Sequence, residues 1–494
     1  MDLIFLIKSF YFIKLFIRFI IILDYLYINS NYNYSLEMIF LKKVIIVGAS
    51  HGGHQMAIDL ADMYDDININ VYEQSDFVSF MSCGMQLFLE NKVTSQKDVR
   101  NFNPDTLVSS KIHVFNNSLV TSIDPKNKTI TVKNQKNDKT FIDNYDKLVL
   151  SSGVVPKTIV KNGKYNNVFL MRGYNWATKI KSILTNKNIK NISIIGSGYI
   201  GIEAMEVFVK NNKNVTLFDV HEYPLQNYLN KDLCDIITNE IKTKNVNLVM
   251  NKKITSLHSN DGKNIDYIST DNKNYNTDLV LCALGVKPNT KWLENTLSLD
   301  SYGFINTNAY LRTNYKDIYA IGDAIKPFSI PANKPIPIAL ATTVREEANY
   351  VTHHIFENIP SESFHGVVGS SALSIFDYKF ATIGLNESTA KKVNVPVFSS
   401  FYKGYKRPSY VKSNNPIIYI CLTVSPYDHR ILGGSILSKN DVTSLGNILS
   451  LVIEKRMTLE DVLNIDFFFQ PNFNRQLNAL TLAARKALGY SDFY

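Results

Sequence analysis

Cys83 is the residue of this sequence that is best suited to redox chemistry. It lies in the segment SFMSCGMQL, and the other cysteines are Cys234, Cys282 and Cys421. They are far apart, with no CxxC pair and no metal-ligand spacing, so each is a single thiol without a local disulfide partner. Such a thiol can cycle through sulfenic acid or a mixed disulfide. A lone cysteine is more often a small hydrophobic core residue, which is what we expect of the other three.

A glycine-rich turn early in the sequence could bind a pyrophosphate. The β-branched run KVIIV at 43–47 leads into GASHGG at 48–53, a helical stretch and a second strand that ends at Glu73. Backbone N–H groups of such a turn approach a pyrophosphate, and the helix N-terminus stabilises its charge. The acid can accept hydrogen bonds from ribose hydroxyls. Ser50 replaces the middle glycine and His51 lies inside the turn, so this unit departs from the GxGxxG pattern.

The same order of elements returns with a complete GxGxxG pattern. NISIIGSGYIGIE supplies Gly196, Gly198 and Gly201, and the strand NVTLFD ends at Asp219. An acid at this position repels a 2′-phosphate, and no arginine follows it to bind such a phosphate. The second unit therefore favours NADH over NADPH.

A third motif indicates that the first turn binds FAD. IYAIGDA at 318–324 puts Asp323 after a short strand and Gly322, where an aspartate can bind the ribityl chain of FAD. Two dinucleotide sites in one chain imply two nucleotides and transfer of electrons from one to the other. We therefore expect a flavoprotein that uses FAD and NADH.

The order of the predicted elements indicates an α/β fold. Each glycine turn belongs to a Rossmann-like dinucleotide-binding domain, and short strands such as IHVF, TITV, KLVL and LVLCALG fill the chain between and after the turns. From about residue 363, antiparallel strands and then helices with Leu/Ile periodicity indicate a C-terminal α+β domain. The predicted domains are FAD-binding, 41–155 and 286–362; NADH-binding, 156–285; and C-terminal, 363–494.

Composition and charge fit a protein of several domains and argue against a nucleic-acid partner. The 494 residues are 45% hydrophobic and 20% charged, with a formal net charge of +9. The basic residues form no dense block, so we expect a solvated basic surface and no nucleic acid. Four cysteines in so long a chain make no secreted disulfide framework, which favours a reducing, cytoplasmic location. We expect no metal site.

Residues 1–40 differ from the rest of the chain. The segment is apolar but is interrupted by Lys8, Lys14, Arg18 and Asp24, so no uncharged run reaches the ~18–20 residues of a membrane-spanning helix. It also lacks a clean small-residue cleavage site. A weak membrane anchor, an uncleaved targeting segment and a leader upstream of the true start remain as alternatives. We favour a leader or tail outside the fold.

Together these motifs resemble the single-cysteine branch of the pyridine nucleotide–disulfide oxidoreductases, and most closely the NADH peroxidases. The resemblance spans about residues 42–480 and rests on GASHGG, FVSFMSCGMQLFLE, LMRGYNWA, GSGYIGIE, LGVKPNT, AIGDA, LATTVREEA, FDYKFATIGLNE and DFFFQPNF. Disulfide reductases of this fold carry two cysteines five positions apart, whereas Val78 and Phe88 stand at that distance from Cys83. The resemblance implies a glutathione-reductase-like fold whose C-terminal domain is a dimerisation domain.

The resemblance also implies a set of residues for each cofactor. The FAD site would comprise Gly48, His51, Gly52, Gly53, Glu73, Cys83, Ser152, Gly153, Arg172, Gly322, Asp323 and Ala341. The NADH site would comprise Gly196, Gly198, Tyr199, Ile200, Gly201, Asp219, Tyr228 and Gly285. Tyr199 would cover the flavin face that nicotinamide enters, with Cys83 on the opposite face. The C-terminal domain would form a homodimer or homotetramer.

His51 and Arg345 are further catalytic candidates, because the resemblance puts both near Cys83. Taken alone, His51 fits a turn histidine bonded to the backbone, and Arg345 fits an exposed salt bridge with Glu346 or Glu347. Beside a flavin and a thiolate, His51 could hold charge or polarise a peroxide. The predicted catalytic set is therefore Cys83, His51 and Arg345.

The function implied by the closest resemblance is that of an NADH peroxidase. The Cys83 thiolate would attack H2O2, become sulfenic acid and be reduced again at the expense of NADH. A water-forming NADH oxidase with O2 as acceptor and a coenzyme A disulfide reductase share the same skeleton. A flavoprotein redox sensor without turnover is the alternative from a different class.

Overall fold

The computed structural model describes residues 41–100, 107–160, 163–171, 173–271 and 273–491. The predicted leader or tail at 1–40 therefore lies outside the described residues. From Lys43 onward the described chain belongs to one unit, and its fold is given below.

The strands and helices follow one another in chain order. The strands are β1 (Lys42–Val47), β2 (Ile67–Tyr72), β3 (Ile112–Phe115), β4 (Ser118–Asp124), β5 (Thr129–Asn134), β6 (Thr140–Asn144), β7 (Lys147–Leu150), β8 (Val154–Pro156), β9 (Val168–Leu170), β10 (Asn191–Ile195), β11 (Asn214–Phe218), β12 (Asn247–Val249), β13 (Ile254–His258), β14 (Tyr267–Thr270), β15 (Asn274–Asn276), β16 (Leu279–Cys282), β17 (Val286–Pro288), β18 (Ile318–Ala320), β19 (Phe328–Ser329), β20 (Lys334–Pro335), β21 (Ser370–Ile375), β22 (Tyr378–Gly384), β23 (Phe398–Tyr405), β24 (Ile417–Val424) and β25 (Ile431–Ser438). The helices are α1 (His51–Met63), α2 (Met85–Leu89), α3 (Tyr174–Thr185), α4 (Tyr199–Lys210), α5 (Lys231–Lys242), α6 (Ala341–His354), α7 (Glu387–Lys392), α8 (Thr443–Glu454), α9 (Leu459–Leu463) and α10 (Ala479–Ala487).

The first sheet has five strands in the order β18-β7-β1-β2-β3. The pairs β18–β7, β7–β1 and β2–β3 are parallel. Strand β1 is a β-branched run whose residues Val44–Ile46 are fully buried, as is typical of a parallel strand covered on both faces. Helices α1 and α6 contribute Met56, Leu60 and Val351 to the same core. This sheet joins early strands to β18, far along the chain.

The second sheet repeats this architecture in the order β12-β11-β10-β16-β9, with parallel neighbours throughout. Helix α4 follows β10 and buries Ile202, Met205 and Phe208. Strand β16 ends at Cys282, so the last three residues of the predicted LVLCALG strand lie beyond it, and Gly285 there has a φ of +81°.

The third sheet is antiparallel and has the order β21-β22-β25-β24-β23. Helices α8 and α10 pack against it through Leu449 and Leu480, and α9 packs on α10 with Val462 in the same core. Two small antiparallel sheets, β4-β5-β6 and β13-β14-β15, accompany the parallel sheets. The predicted fold class is confirmed: two Rossmann-like parallel sheets precede a C-terminal α+β domain. The predicted domain boundaries remain a prediction.

Both parallel sheets bring a backbone carbonyl very close to the glycine that ends the first strand. A Cβ atom on Gly48 would lie 2.3 Å from the Ser151 carbonyl oxygen, and one on Gly196 would lie 2.3 Å from that of Ala283. These two glycines have φ angles of +100° and +105°, which L side chains rarely adopt. Glycine is therefore required at both positions by space and by conformation.

Among the described residues, none of the helices combines the length and the hydropathy needed to cross a membrane.

We predict that Gly48→Ala lowers the melting temperature and the FAD content of the purified protein. The added methyl group collides with the Ser151 carbonyl, which costs about 1–3 kcal/mol beyond the backbone strain. Gly163→Ala is the matched control, since Gly163 has a φ of +76° but no atom within 4 Å of the added Cβ. Equal melting temperatures and equal flavin absorbance for the two variants would contradict the steric argument.

Candidate active site

A cavity of about 450 Å³ brings most of the predicted FAD residues together. From the predicted set it is lined by Gly48, His51, Gly52, Glu73, Ser152, Gly153, Gly322 and Asp323. These residues follow the carboxyl ends of β1, β2, β7 and β18, which are neighbours in the first sheet. The carboxyl edge of an open parallel sheet is where α/β proteins bind ligands. The sheet order thus explains why residues far apart in sequence meet here.

The remaining predicted FAD residues lie around this cavity or outside the described chain. A Cβ on Gly53 would lie 1.9 Å from the Gly48 carbonyl oxygen, so Gly53 packs beneath the turn. Ala341 is the first residue of α6. Cys83 follows Ser82, which lines the cavity. Arg172 lies outside the described residues.

Two tryptophans of the cavity were missed by the sequence reasoning. Trp176 and Trp292 both line it, and they are the two tryptophans of the chain. The Trp292 Nε1–H donates to the Asn289 carbonyl oxygen at 3.1 Å. Trp176 belongs to the LMRGYNWA segment, so a signal for it was present, whereas no motif marks Trp292.

The cavity fits a dinucleotide on two observations. The Ser152 hydroxyl faces it, is shielded from solvent and has no hydrogen-bond partner within the described residues. Glu73 is fixed at its rim, because its carboxylate accepts from the Ala49 N–H at 2.9 Å and from the Ser75 N–H at 2.9 Å. An available hydroxyl, a fixed carboxylate and glycines without side chains are the groups that ribose and pyrophosphate require.

Cys83 lies in a one-turn 3-10 helix, Ser82–Gly84, that leads directly into α2. Its side chain is exposed, whereas Cys234, Cys282 and Cys421 are buried, as expected for packing residues. Partial burial raises the pKa of the Cys83 thiol, and hydrogen bonds from the N–H groups of Cys83 and Gly84 oppose that shift. The charge of Arg345 lowers the same pKa, and that of Glu203 raises it.

His51 and Arg345 belong to one electrostatic cluster with a residue that the sequence reasoning missed, His54. Helix α1 begins at His51 and packs against α6, which carries Arg345. His54 is fully buried one helical turn after His51. Burial, Arg345 and His51 together lower the pKa of His54 to about 4, so His54 is neutral at physiological pH. The i, i+3 spacing of the two histidines on a helix was the signal that could have found it.

A partly buried and a fully buried carboxylate near the site also escaped the sequence reasoning. Burial raises the pKa of Glu203 to about 7, and the charges of Glu206 and Glu90 act in the same direction. Glu347 has no exposed surface, so it cannot form the exposed salt bridge considered as an alternative for Arg345, whereas Glu346 is exposed. Its carboxylate accepts the Gly322 N–H and so fixes the turn that carries Asp323. Burial raises the pKa of Glu347 to about 8.

In the second unit, Asp219 is held by groups of the protein itself. Its Oδ2 atom accepts from the N–H and the hydroxyl of Ser197, both at 2.6 Å. Its Oδ1 atom accepts from the N–H of His221 at 2.9 Å and lies 2.7 Å from the His221 Nδ1 atom. Burial acts to raise the pKa of Asp219, but these hydrogen bonds outweigh it and hold the pKa below its usual value. The carboxylate is therefore charged and fixed beside the glycine turn.

Tyr199 and Tyr228 stack on each other beside this turn. Their ring centroids are 4.1 Å apart and their planes meet at 22°. A Cβ on Gly198 would lie 3.5 Å from the Tyr228 ring, so that ring covers the turn. Ile200 and Gly201 continue α4, and Gly285 follows β16 at the same edge of the second sheet. The predicted NADH residues therefore surround one edge, although their contacts with NADH remain a prediction.

Comparison with known families assigns the chain. The profile of the pyridine nucleotide-disulphide oxidoreductases matches residues 42–345, and the profile of the dimerisation domain of these enzymes matches residues 370–480. The chain belongs to this family. The predicted family is confirmed.

Several proteins similar to this chain are NADH oxidases. An NADH oxidase of Enterococcus faecalis is 31% identical over 449 residues, which cover 90% of this chain and 99% of the relative. The water-forming NADH oxidase from Lactobacillus brevis has a TM-score of 0.86 at 30% identity and covers 91% of this chain and 98% of its own. An engineered NADPH-using variant of that enzyme gives a TM-score of 0.85 at 30% identity, covering 90% and 98%. A coenzyme A disulfide reductase of Staphylococcus haemolyticus is 24% identical over 454 residues, covering 90% and 99%.

Family membership and these relatives establish the general activity. The protein is an FAD-dependent oxidoreductase that uses NADH, and it carries the dimerisation domain of its family. The predicted cofactors are confirmed. NADH peroxidase activity, the predicted specific function, is not confirmed and stays a prediction.

We expect the wild-type protein to lose stability between pH 6 and pH 9, and we predict that this loss is smaller in Glu347→Gln. Glu347 has a raised pKa in the folded protein, so the folded state holds a proton that the unfolded state releases above its ordinary pKa. Stability from this group is complete below that ordinary pKa and is lost as pH rises through about 8. Glutamine can still accept the Gly322 N–H but does not ionise.

The check is calorimetry of both proteins at the two pH values. The fall in melting temperature should be smaller for Glu347→Gln by about 2–4 °C, the shift that ~1 kcal/mol produces in a large domain. Glu362→Gln, a change at an exposed carboxylate, is the control and should leave the wild-type difference intact. A fall as large in Glu347→Gln as in the wild type would show that Glu347 is already ionised at pH 6.

Proposed function

We propose that this protein is a water-forming NADH oxidase in which Cys83 completes the reduction of O2. The observation that carries the proposal is the single exposed thiol beside the cofactor cavity, with every other cysteine buried. A sulfenic acid formed on Cys83 meets no neighbouring thiol that could trap it as a disulfide. The similarity to the NADH oxidases of Enterococcus faecalis and Lactobacillus brevis supports the choice of O2.

Glu73, Ser152 and Asp323 would hold FAD in the cavity of the first sheet, and Asp219 would hold NADH at the second glycine turn. Bound FAD accepts two electrons from NADH and makes them available to O2 and to Cys83. The charged Asp219 accepts hydrogen bonds from ribose hydroxyls and repels a 2′-phosphate. Because the two glycine turns lie at the carboxyl edges of their sheets, they present helix N-termini to the two pyrophosphates.

The role of Cys83 is to convert peroxide into water. The thiolate attacks one oxygen of H2O2, the O–O bond breaks, a hydroxide leaves and takes up a proton, and Cys83 becomes a sulfenic acid. Two electrons and one proton then release the second oxygen as water and restore the thiolate. NADH is the source of these electrons.

Residues around Cys83 control the charge on its sulfur. The Arg345 guanidinium and the N–H groups of Cys83 and Gly84 stabilise the thiolate, while burial opposes ionisation. His51 lines the cavity at the start of α1, where it can donate a hydrogen bond to a peroxide oxygen. His54 stays neutral beside Arg345 and does not add a second positive charge.

NADH peroxidase is the second candidate, and it shares every residue of this scheme. The observation that favours it is the histidine-containing turn GASHGG followed by the CGMQL segment, the basis of the resemblance to NADH peroxidases. The two functions differ in whether peroxide is the substrate from solution or is formed from O2 at the cofactor.

A homodimer or homotetramer through the C-terminal domain is part of the proposal. Phe468, Phe469 and Phe473 are exposed to 72%, 42% and 63% in the described chain, and the dimerisation profile ends at residue 480. Exposed aromatic side chains this close together are typical of a contact surface.

We predict that the wild-type protein oxidises two NADH for each O2 and releases little H2O2, whereas Cys83→Ser oxidises one NADH for each O2 and releases H2O2. The serine hydroxyl cannot form a sulfenic acid, so the second two-electron step is lost. The measurement combines an oxygen electrode with NADH absorbance and peroxide detection. Cys234→Ser, a buried cysteine of α5, is the control for a thiol substitution.

An anaerobic assay with added H2O2 separates the two candidates. Turnover with H2O2 and Cys83, together with negligible NADH loss when O2 alone is supplied, would overturn the oxidase and establish the peroxidase. Turnover only with coenzyme A disulfide would identify the reductase, and no turnover with any acceptor would leave a redox sensor.

We predict that the double variant Asp219→Ala/Val220→Arg shifts kcat/KM from NADH toward NADPH by about tenfold or more. Removing the carboxylate ends its repulsion of a 2′-phosphate, and the arginine binds that phosphate. The engineered NADPH oxidase related to the Lactobacillus brevis enzyme carries Asp→Ala followed directly by Ala→Arg, eighteen residues after Gly→Ala. Asp219 also lies eighteen residues after a motif glycine, Gly201.

The ratio of kcat/KM values for the two nucleotides is the readout, and Asp235→Ala is the control. Asp235 is an exposed acid of α5 that pairs with Lys231. An unchanged ratio in the double variant would show that Asp219 does not face the ribose.

A further inference from the structure

One strand pair of the C-terminal sheet bonds to both stacked tyrosines. Ser371 on β21 and Thr382 on β22 are directly opposite each other in the antiparallel register. The Tyr199 hydroxyl lies 2.8 Å from the Ser371 Oγ atom, and the Thr382 hydroxyl donates to the Tyr228 carbonyl oxygen at 3.0 Å. Opposite residues of an antiparallel pair point to the same face of the sheet. The two hydroxyl groups therefore hold the two tyrosines from one surface.

Neighbouring contacts make this surface rigid. Phe380, two residues before Thr382 on β22, is fully buried and meets the Tyr199 ring edge-on at 5.7 Å. The Ser435 hydroxyl donates to the Thr382 Oγ1 atom at 3.1 Å, which orients Thr382 toward Tyr228.

The segment after Tyr228 is anchored in the same way. The Asn230 side-chain amide donates to the Ser399 hydroxyl at 3.0 Å and to the Cys421 sulfur at 2.8 Å. Its oxygen accepts the N–H of Glu387 at 3.2 Å. Asn230 is buried and precedes α5. Three segments of the C-terminal domain therefore fix the chain that carries Tyr228.

The tyrosine pair lies beside the second glycine turn. Tyr199 is the first residue of α4, directly after the glycine turn, and the Tyr228 ring lies against Gly198. The family resemblance implies that nicotinamide enters at Tyr199, and on that premise the Tyr199 ring leaves its stack when nicotinamide enters. Such a movement would break the hydrogen bond between Tyr199 and Ser371.

We propose that Ser371 is a latch of the C-terminal domain that holds the Tyr199–Tyr228 pair closed and thereby limits the binding of the nicotinamide half of the dinucleotide. Ser371 is a positioning residue, because it acts on the ligand through Tyr199. The inference rests on the proposed function in one respect, the binding of NADH at the second glycine turn, with nicotinamide entering at Tyr199 as the resemblance implies.

The expected size of the effect follows from one hydrogen bond between neutral groups. If the latch stabilises the closed pair, only the fraction of molecules with an open pair binds nicotinamide, and the apparent dissociation constant equals the intrinsic one divided by that fraction. Loss of a hydrogen bond of ordinary strength should increase the open fraction roughly 2- to 10-fold. The dissociation constant of NAD⁺ should fall by the same factor.

The test measures binding of NAD⁺ and of ADP-ribose to the FAD-loaded protein by isothermal titration calorimetry. ADP-ribose lacks the nicotinamide and does not need the pair to open. Ser371→Ala should bind NAD⁺ about 2- to 10-fold more tightly and ADP-ribose with unchanged affinity. Ser370→Ala is the matched control, since the Ser370 hydroxyl bonds to Ser450 at 2.9 Å and not to a tyrosine. It should leave both affinities unchanged.

A double-mutant cycle identifies the bond responsible. Tyr199→Phe removes the same hydrogen bond from its other end and retains the ring, so Ser371→Ala/Tyr199→Phe should bind NAD⁺ no more tightly than Ser371→Ala alone. Additive effects of the two substitutions would overturn the latch, as would NAD⁺ affinities that are equal in Ser371→Ala and Ser370→Ala.

The outcomes also separate the latch from the proposed function. Equal shifts for NAD⁺ and ADP-ribose in Ser371→Ala would mean that Ser371 shapes the whole dinucleotide site and is not a latch. A wild-type protein that binds ADP-ribose but neither binds NAD⁺ nor oxidises NADH would overturn the proposed function, and with it the nicotinamide entry that the latch controls.

Discussion

The close approach of backbone to backbone at the two glycine turns is the constraint on which the rest of the structure depends. In each parallel sheet a carbonyl oxygen stands 2.3 Å from where a side chain of Gly48 or Gly196 would begin. A Cβ atom on the glycine five residues later, Gly53 or Gly201, would lie 1.9 Å from the carbonyl oxygen of Gly48 or Gly196, respectively. No larger residue fits without moving the strand or the helix. Both helices therefore begin at the same position relative to their first strands, three residues after Gly48 and Gly196, at the carboxyl edge where the nucleotides are expected to bind.

This shared geometry gives equivalent positions to two residues of very different chemistry. His51 and Tyr199 are each the first residue of the helix that follows a glycine turn. His51 thereby faces the cavity of the first sheet, and Tyr199 stacks on the Tyr228 ring that covers the turn of the second. The helix that follows Cys83 is also contacted by a helix that lies, along the chain, between strands β9 and β10 of the second parallel sheet. The Lys181 ammonium of α3 donates to the Leu89 carbonyl at the end of the helix that follows Cys83, at 3.2 Å, where a positive charge is favourable.

The sequence was sufficient for the parts of the site that a local pattern encodes. Both glycine turns, Asp219 and Asp323 could be predicted because strand, turn and helix lie within a few tens of residues. The remainder depends on contacts between distant segments. Glu347 could not be recognised as buried from its neighbours in sequence, because its environment is created by the turn at Gly322. The hydroxyls that hold the tyrosines lie far from them along the chain, on strands whose pattern encodes only a half-buried antiparallel pair.

The preference for O2 or H2O2 as electron acceptor also depends on contacts between segments that are distant in sequence. The Arg345 charge favours the Cys83 thiolate that peroxide chemistry needs, and His54 beside Arg345 is neutral. Both an oxidase and a peroxidase use this thiolate, so the Cys83 side of the site suits either function. We infer that the difference between an oxidase and a peroxidase depends on the access of O2 to the cofactor. If Tyr199 covers the nicotinamide side of the flavin, as the resemblance implies, a tightly held pair shields that side whenever no nucleotide is bound, and peroxide formed at the cofactor remains close to Cys83, where its effective concentration is high. On this argument the Ser371 and Thr382 hydroxyls, which hold the two tyrosines, affect the access of the electron acceptor to the cofactor as well as the binding of the nucleotide.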